Sequence, residues 1–300
     1  MKNLNYYIVD VFSIGKYTGN QLAVFKNASN ISENEMQQIA KEINFSETTF
    51  ITSDLKDDNS FDVRIFTPNE EVPFAGHPAL GTVSIIQSEI LKIPVENLIL
   101  NFKAGPITVS FNQEDDVIWM KQNEPIFGST LDVNVMAEIL TIDSTYIDDR
   151  FPIQEVSTGL PSIIVPLKTL EAVEKVKINK EKYFELIKHT IAKSILVFAP
   201  EAYHSDNDIN VRDFAEYYGI PEDAATGSSN GCLASYLVKY NYFLKKEINF
   251  RVEQGYEINR PSLLYLKANE DNEKINVFVG GKVTKIAQGE WLFGNDHMIW

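Results

Sequence analysis

The chain of 300 residues has little cysteine and little positive charge. Its single cysteine, Cys232, excludes an intramolecular disulfide and any metal site built from several thiolates. Lys and Arg number 27 against 42 Asp and Glu, which gives a formal net charge of −15. Nucleic acids and anionic lipid surfaces are bound through clustered positive charge, so this balance argues against both kinds of partner.

Long hydrophobic runs and the common catalytic templates are also missing. No segment approaches the roughly 20 apolar residues that a membrane-spanning helix needs. The first ten residues combine charge with the alternation of a strand, so no signal peptide is predicted. The sequence has no Walker loop, no dinucleotide-binding glycine motif, no hydrolase elbow and no His-Glu-x-x-His. We therefore expect a cytoplasmic protein without a metal site, folded on its hydrophobic core alone.

Alternating apolar residues predict many short strands, and two segments predict turns between them. Residues 104–106 (AGP) separate two β-rich runs, and Gly280 with Gly281 suits a two-residue turn. Amphipathic helices are fewer. Ser32 and Glu35 form a capping box, after which apolar residues recur at helical spacing up to Ile43.

Two further helices, predicted over 78–91 and 228–238, are apolar or small almost all round. A helix without a polar face is buried, and in a strand-rich chain a curled sheet around it is the natural enclosure. The sequence therefore predicts an α+β protein with two barrel-like halves. The boundary is expected near 123–130, where Pro125 and Gly128 interrupt the pattern. A duplicated architecture is supported by residues that recur at one constant spacing: Arg64 and Arg212, Phe66 and Phe214, Pro73 and Pro221.

A loop of small residues precedes each apolar helix and contains Gly76 in the first half and Gly227 and Ser228 in the second. Free backbone N–H groups at a helix start bind negative charge, so these loops are candidates for holding a carboxylate or a developing enolate. The alternative is that the glycines only permit tight turns between strand and helix.

Three titratable residues near these elements are candidates for chemistry. His77 lies on the first loop, Asp223 on the second, and Glu47 lies between Phe45 and Phe50, which could partly desolvate it. Each has an ordinary alternative: a packing histidine, a plain N-cap and a solvated glutamate.

Several segments together resemble the phenazine-biosynthesis PhzF-like family, and the match spans most of the chain. The block Phe-Ala-Gly-His-Pro in its context is the most specific of them. The matching segments are 18–20 (TGN), 46–50 (SETTF), 64–68 (RIFTP), 71–81 (EVPFAGHPALG), 219–228 (GIPEDAATGS) and 253–255 (EQG).

This resemblance implies the fold of diaminopimelate epimerase: two similar domains, each a β-barrel wrapped around a central helix, with the active site in the cleft between them. The expected domains are 1–125, completed by a strand near 288–300, and 126–287. The resemblance also implies a homodimer that acts without a cofactor on a small-molecule carboxylate.

The resemblance further implies the roles of individual residues. Glu47 would move a proton between carbons of a cyclic, unsaturated acid, assisted by His77 and Asp223. The residues expected to hold the substrate are Asn20, Ser46, Gly76, Gly227 and Ser228.

This chain departs from the family pattern at two positions beside the expected site. Gln21 and Ala224 each stand where a proline is usual in the family, so the substrate stays open. Epimerases of this fold that use two thiols are excluded, since the chain has one cysteine. The function expected is that of an isomerase with a single carboxylate shuttle. Three alternatives stay open: a metabolite-binding protein without turnover, an interaction protein with an acidic surface, and a racemase that uses two carboxylates.

Overall fold

The computed structural model describes residues 2–112 and 114–293, and strands dominate it. The predicted α+β class is confirmed. The strands are β1 (Lys2–Val11), β2 (Asn20–Phe25), β3 (Thr48–Ile51), β4 (Ser60–Phe66), β5 (Glu71–Val72), β6 (Asn97–Phe102), β7 (Gly105–Asn112), β8 (Val117–Lys121), β9 (Ile126–Leu131), β10 (Ile153–Ser157), β11 (Pro161–Pro166), β12 (Ser194–Ala199), β13 (Ile209–Ala215), β14 (Ile220–Asp223), β15 (Glu247–Gln254), β16 (Ser262–Asp271), β17 (Lys274–Gly281) and β18 (Val283–Phe293).

Six α-helices lie in this part of the chain, and a π-helical segment, Ile86–Leu91, continues the second of them. None of the helices within the described residues has the length and apolar character needed to span a membrane. The α-helices are α1 (Glu33–Ile43), α2 (Gly76–Ile85), α3 (Val133–Leu140), α4 (Leu170–Lys175), α5 (Lys180–Leu186) and α6 (Gly227–Lys239).

The chain forms two compact units. One comprises Met1–Met120 and Lys282–Trp300, and the other comprises Lys121–Gly281. The expected barrel domains, 1–125 with a strand near 288–300 and 126–287, stay a prediction. Of that returning strand, residues 294–300 lie outside the described part of the chain.

The two units share one order of strand pairing. In the first unit, β1–β2 is antiparallel, β2–β3 parallel, β3–β4 antiparallel, β4–β6 parallel and β6–β7 antiparallel. In the second unit, the pairs β10–β11, β11–β12, β12–β13, β13–β15 and β15–β16 repeat that alternation in the same order. Arg64 lies on β4 and Arg212 on β13, at equivalent places in this order. The recurring residues of the sequence thus correspond to a repeated topology.

The two helices without a polar face are the buried ones, as predicted. Every residue of α2 from Gly76 to Val83 is buried, and so are most residues of α6. Helix α2 contacts β1, β2, β3, β6, β7 and β18, whereas α6 contacts β10, β11, β12, β15, β16 and β17. Each buried helix is therefore enclosed by strands of its own unit.

The amphipathic helices cover the outer faces of the sheets. Ser32 caps α1 by accepting a hydrogen bond from the Glu35 backbone N–H, which is the Ser32 half of the predicted capping box and confirms the predicted start of the helix. Helix α1 buries Met36, Ile39 and Ala40 in a cluster with aromatic residues of β2, β3 and β4. In the second unit, α3, α4 and α5 bury apolar residues against β10, β11 and β12 in the same manner.

Candidate active site

Glu47 lies directly before β3, at the end of the segment that follows α1. Helix α1 ends at Ile43, and its C-cap residue Asn44 adopts the left-handed conformation with φ 56°, which turns the chain toward the sheet. Strand β3 is held between β2 and β4, with Thr48 opposite Ala23 and Phe66. Glu47 thus projects from the beginning of a strand in the middle of the sheet, and its side chain is 17% exposed.

His77 is the second residue of α2 and contacts Glu47. Its Nε2 lies 3.5 Å from Oε2 of Glu47, and the imidazole is 7% exposed. The structure therefore brings together two of the three predicted catalytic residues, although 30 residues separate them in the sequence. They meet because β3 packs on the buried helix that begins beside His77.

The environment of Glu47 raises the pKa of its carboxyl group. Burial penalises the ionised form and is the main cause, and the neighbouring Ser46 opposes part of the rise. Oε2 of Glu47 is fully buried, and within the described residues no hydrogen bond reaches it. A carboxyl group whose pKa is raised above that of a solvated glutamate is suited to hold a proton that it has taken and to return it.

A hydrogen bond to β3 and a close approach to β1 and β2 hold α2 in position. The Thr82 hydroxyl donates to Thr49 Oγ1 over 2.9 Å, and both residues are fully buried. Gly81 faces β1 and β2 so closely that a Cβ atom there would lie 2.5 Å from Leu22 Cδ2. The geometry of the Glu47–His77 pair therefore depends on this tight packing of α2.

Three of the predicted substrate-binding residues also lie in the first unit. Asn20 begins β2 and is 6% exposed, so it lies at the same end of the sheet as the beginning of the parallel β3. Ser46 directly precedes Glu47, and its hydroxyl oxygen is buried. Gly76 is the buried first residue of α2. Their binding roles stay a prediction.

The remaining predicted residues, Asp223, Gly227 and Ser228, surround the start of α6 in the second unit. Asp223 ends β14, and Gly227 and Ser228 are the first two residues of α6. Between them lies Thr226, the N-cap residue, whose hydroxyl is 2.6 Å from Asp223 Oδ2. Asp223 is therefore not the N-cap residue of α6, so the alternative interpretation of Asp223 as a plain N-cap is wrong.

Gln254 fixes the loop between β14 and α6 and was not assigned a role from the sequence. Its Oε1 accepts hydrogen bonds from the Thr226 N–H and the Asn230 amide, and its Nε2 donates to the Asp223 carbonyl and to Thr226 Oγ1. The side chain is fully buried. The only signal in the sequence was its place in the segment 253–255.

Asp213 is the second residue that sequence reasoning missed. It lies on β13 directly opposite Asp223 and is 1% exposed. Burial and the neighbouring Asp223 charge raise the pKa of Asp213 to about 8, although the Ser229 and Thr226 hydroxyls oppose the rise. The available signal was an aspartate next to Arg212 within a predicted strand.

An arginine holds the strand that leads into each loop. Arg64 on β4 makes a bidentate ion pair with Glu71 on β5, with N···O distances of 2.7 and 2.8 Å. Arg212 on β13 makes the equivalent pair with Glu222 on β14, with distances of 2.9 and 2.7 Å. Strand β5 precedes the start of α2, which carries His77, and strand β14 ends at Asp223. The duplication thus places an arginine-anchored strand before His77 and up to Asp223.

The described residues contain no group of three or more His, Cys, Asp or Glu side chains suited to hold a metal ion. Cys232 is fully buried in α6, and burial raises the pKa of its thiol to about 11. This thiol is therefore not a reactive nucleophile.

Comparison with known proteins agrees with this fold. The family described as Phenazine biosynthesis-like protein matches residues 9–289. An uncharacterized isomerase of Clostridium acetobutylicum is 31% identical over 97% of this chain and 98% of its own. The trans-2,3-dihydro-3-hydroxyanthranilate isomerase of Pseudomonas fluorescens is 33% identical over 95% of this chain and 98% of its own. The crystal structure of the Bacillus anthracis phenazine biosynthesis protein, PhzF family, has a TM-score of 0.89 and 28% identity, and covers 98% of this chain and 100% of its own.

These matches define the class of the protein first: it is an isomerase with the α+β fold of the PhzF structures. Since the family match covers nearly the whole chain, the protein belongs to the phenazine-biosynthesis PhzF-like family. The resemblance drawn from the sequence motifs is confirmed.

Proposed function

We propose that this isomerase moves a proton between two carbons of a small, cyclic, unsaturated carboxylic acid, with Glu47 as the acid and base. The observation that carries the proposal is the buried Glu47–His77 pair, in which 3.5 Å separates the carboxyl oxygen from the imidazole nitrogen. A raised pKa suits Glu47 to both halves of the reaction, since one group must take and then return the proton.

In the proposed reaction, the Glu47 carboxylate removes a proton from a carbon next to an unsaturated bond. The electron pair of the broken C–H bond moves into the unsaturated system and forms an enolate-like anion. The protonated Glu47 then returns the proton to a different carbon of that system. Atoms and electrons balance within the substrate, so the reaction requires no external oxidant or reductant, and the proposal includes no cofactor.

His77 and the helix starts would stabilise the intermediate anion. The first backbone N–H groups of α2 and α6 have no partner within their own helix, and they favour negative charge. Gly76, Gly227 and Ser228 occupy those positions, where small residues permit a close approach. Asn20 and Ser46 would contact the substrate, and Asp223 would assist from the end of β14. The homodimer implied by the resemblance is part of the proposal and is tested by sedimentation.

The test replaces Glu47 by Gln, which preserves the shape of the side chain and removes its exchangeable carboxyl proton. Turnover of a panel of cyclic unsaturated carboxylic acids, including trans-2,3-dihydro-3-hydroxyanthranilate, should fall by roughly 10³-fold. Ligand binding measured by calorimetry should change little. The exposed Glu42 on α1 supplies the control, since Glu42→Gln alters the charge equally without touching the pair.

The outcomes separate the proposal from its alternatives. Retained turnover in Glu47→Gln would refute the role of Glu47. Binding without conversion of any panel member by the wild type would favour a metabolite-binding protein. In deuterated water, label at the original carbon with inverted configuration would favour a racemase, whereas a product with a shifted double bond supports the proton transfer proposed here.

A further inference from the structure

The Thr226 hydroxyl has three close polar neighbours. Its Oγ1 lies 2.6 Å from Asp223 Oδ2 and 3.1 Å from Asp213 Oδ2. Gln254 Nε2 donates a hydrogen bond to the same oxygen over 3.0 Å. Thr226 is the N-cap residue of α6, so this cluster lies at the beginning of the buried helix.

A hydroxyl group has one hydrogen to donate and two lone pairs to accept with. The Gln254 amide occupies one lone pair, and the single hydrogen can point to only one of the two carboxyl groups. If both carboxyl groups were ionised, the second would face the remaining lone pair at hydrogen-bond distance, which is repulsive. The arrangement is satisfied when one of the two aspartates is protonated and donates to Thr226 Oγ1. Asp213 and Asp223 therefore hold one proton between them.

The geometry also indicates which aspartate carries that proton. A distance of 2.6 Å is typical of a hydroxyl that donates to an ionised carboxylate, which points to Asp223 as the anion. Asp213 is 1% exposed, whereas Asp223 is half-buried. Oδ1 of Asp213 is fully buried, and burial is the main factor that disfavours an ionised Asp213, although the Ser229 and Thr226 hydroxyls offset part of this cost.

We propose that Asp213 is a positioning residue for Asp223. Asp213 is protonated at neutral pH and donates a hydrogen bond to the Thr226 hydroxyl. The hydrogen of that hydroxyl therefore points to the Asp223 carboxylate. The inference rests on the role of Asp223 in the proposed function. It assigns a task to a buried group that the sequence motifs do not include. When Asp213 ionises, Thr226 can no longer satisfy both carboxyl groups, and the loop before α6 loses its fixed arrangement.

The charged and titratable groups around Asp213 agree with this assignment. The acids on β14, Asp223 and Glu222, both raise the pKa of Asp213. The guanidinium of Arg212 is engaged by Glu222 and by backbone carbonyl groups, and so does not neutralise Asp213. The weaker acids that interact electrostatically with Asp213 are Tyr183, Tyr218 and Cys232.

The test is a pH titration by NMR of the intact protein, labelled with ¹³C at the aspartate carboxyl carbons. The proposal predicts one aspartate resonance with a midpoint near the pKa of about 8. That resonance should be absent from Asp213→Asn and retained in Asp223→Asn with a lower midpoint, since removing the Asp223 charge removes one cause of the shift. Through-bond assignment in the wild type gives the same answer if a variant does not fold.

Three results would overturn the proposal. Asp213 could titrate near the ordinary aspartate value of about 3.9. The raised midpoint could persist in Asp213→Asn, or it could belong to Asp223. None of these measurements requires a substrate, so they stand or fall separately from the role of Glu47.

A second readout connects the proton on Asp213 to activity. Asparagine retains an N–H donor toward Thr226 at every pH, so it imitates the protonated state. The wild type should lose activity as the pH rises through about 8, whereas Asp213→Asn should lack this alkaline loss. If Asp213→Asn lost activity at alkaline pH in the same way as the wild type, the positioning role of Asp213 would be contradicted.

Discussion

Gly81 offers the sharpest test of how packing fixes the candidate site. A Cβ atom at this position in α2 would lie 2.5 Å from Leu22 Cδ2, 3.0 Å from Val11 Cγ2 and 3.2 Å from Val9 Cγ2. All three neighbours are fully buried in β1 and β2, so none can move into solvent. Gly81→Ala therefore forces α2 away from the sheet.

The expected cost follows from these contacts. Overpacking of a core by one methyl group lowers the free energy of unfolding by about 1–3 kcal/mol. We expect a cost at the upper end of this range for Gly81→Ala, because the added methyl group would clash with fully buried side chains on two strands. The higher helix propensity of alanine returns up to about 1 kcal/mol. The net loss of about 2 kcal/mol corresponds to a decrease in Tm of roughly 4–8 °C for a chain of this size. Turnover should also decrease, because α2 carries His77.

The assay is thermal and urea denaturation of Gly81→Ala beside a matched control. Gly15→Ala is that control, since a Cβ atom at Gly15 meets nothing within 4 Å. The control should stay within about 0.5 kcal/mol of the wild type. A Gly81→Ala variant as stable as the wild type, or an equal loss of stability in both variants, would contradict the predicted clash.

Two further predictions concern charges. Arg212→Ala should lower the free energy of unfolding, measured by urea denaturation, by about 3–5 kcal/mol, because it leaves Glu222 unpaired with its side chain only 10% exposed. Arg64→Ala should lower it by less, since the Arg64 side chain is 29% exposed. Equal losses in the two variants would contradict this ranking. Glu47→Gln should have a higher Tm than the wild type at alkaline pH. The folded protein holds the Glu47 proton more tightly than the unfolded chain does, so the wild type loses stability as the pH rises above the ordinary pKa of a glutamate. The difference should vanish below about pH 4, and a uniform difference across pH would refute the raised pKa.

The elements that depend on local pattern were predictable from the sequence. The capping box of Ser32 and Glu35 placed the beginning of α1 correctly because it is a contact within one turn. The absence of a polar face identified both buried helices, because a helix that is buried on all sides needs apolar or small residues on all sides. A turn between β6 and β7 was predicted correctly over 104–106, but it lies at 103–104, and Gly105, with φ 119°, is the first residue of β7.

Other features depend on tertiary packing and escaped prediction. Gly128 was interpreted as an interruption of the strand pattern, but it lies within β9. A Cβ atom at this position would lie 3.1 Å from Glu155 Cβ on β10, so the glycine permits the two strands to pack closely. Gly280 and Gly281 were predicted as a turn but belong to β17. Asp213 escaped because its importance arises from a partner on another strand, and local pattern carries no such information.

The central claim is that Glu47 transfers a proton between substrate carbons. The most direct measurement is mass spectrometry of the acid panel after incubation in deuterated water with wild type, Glu47→Gln and Glu42→Gln, with chromatography of the products. We predict deuterium or a rearranged double bond in one panel member with wild type and Glu42→Gln, and neither with Glu47→Gln. Equal label or product formation by Glu47→Gln would contradict the account.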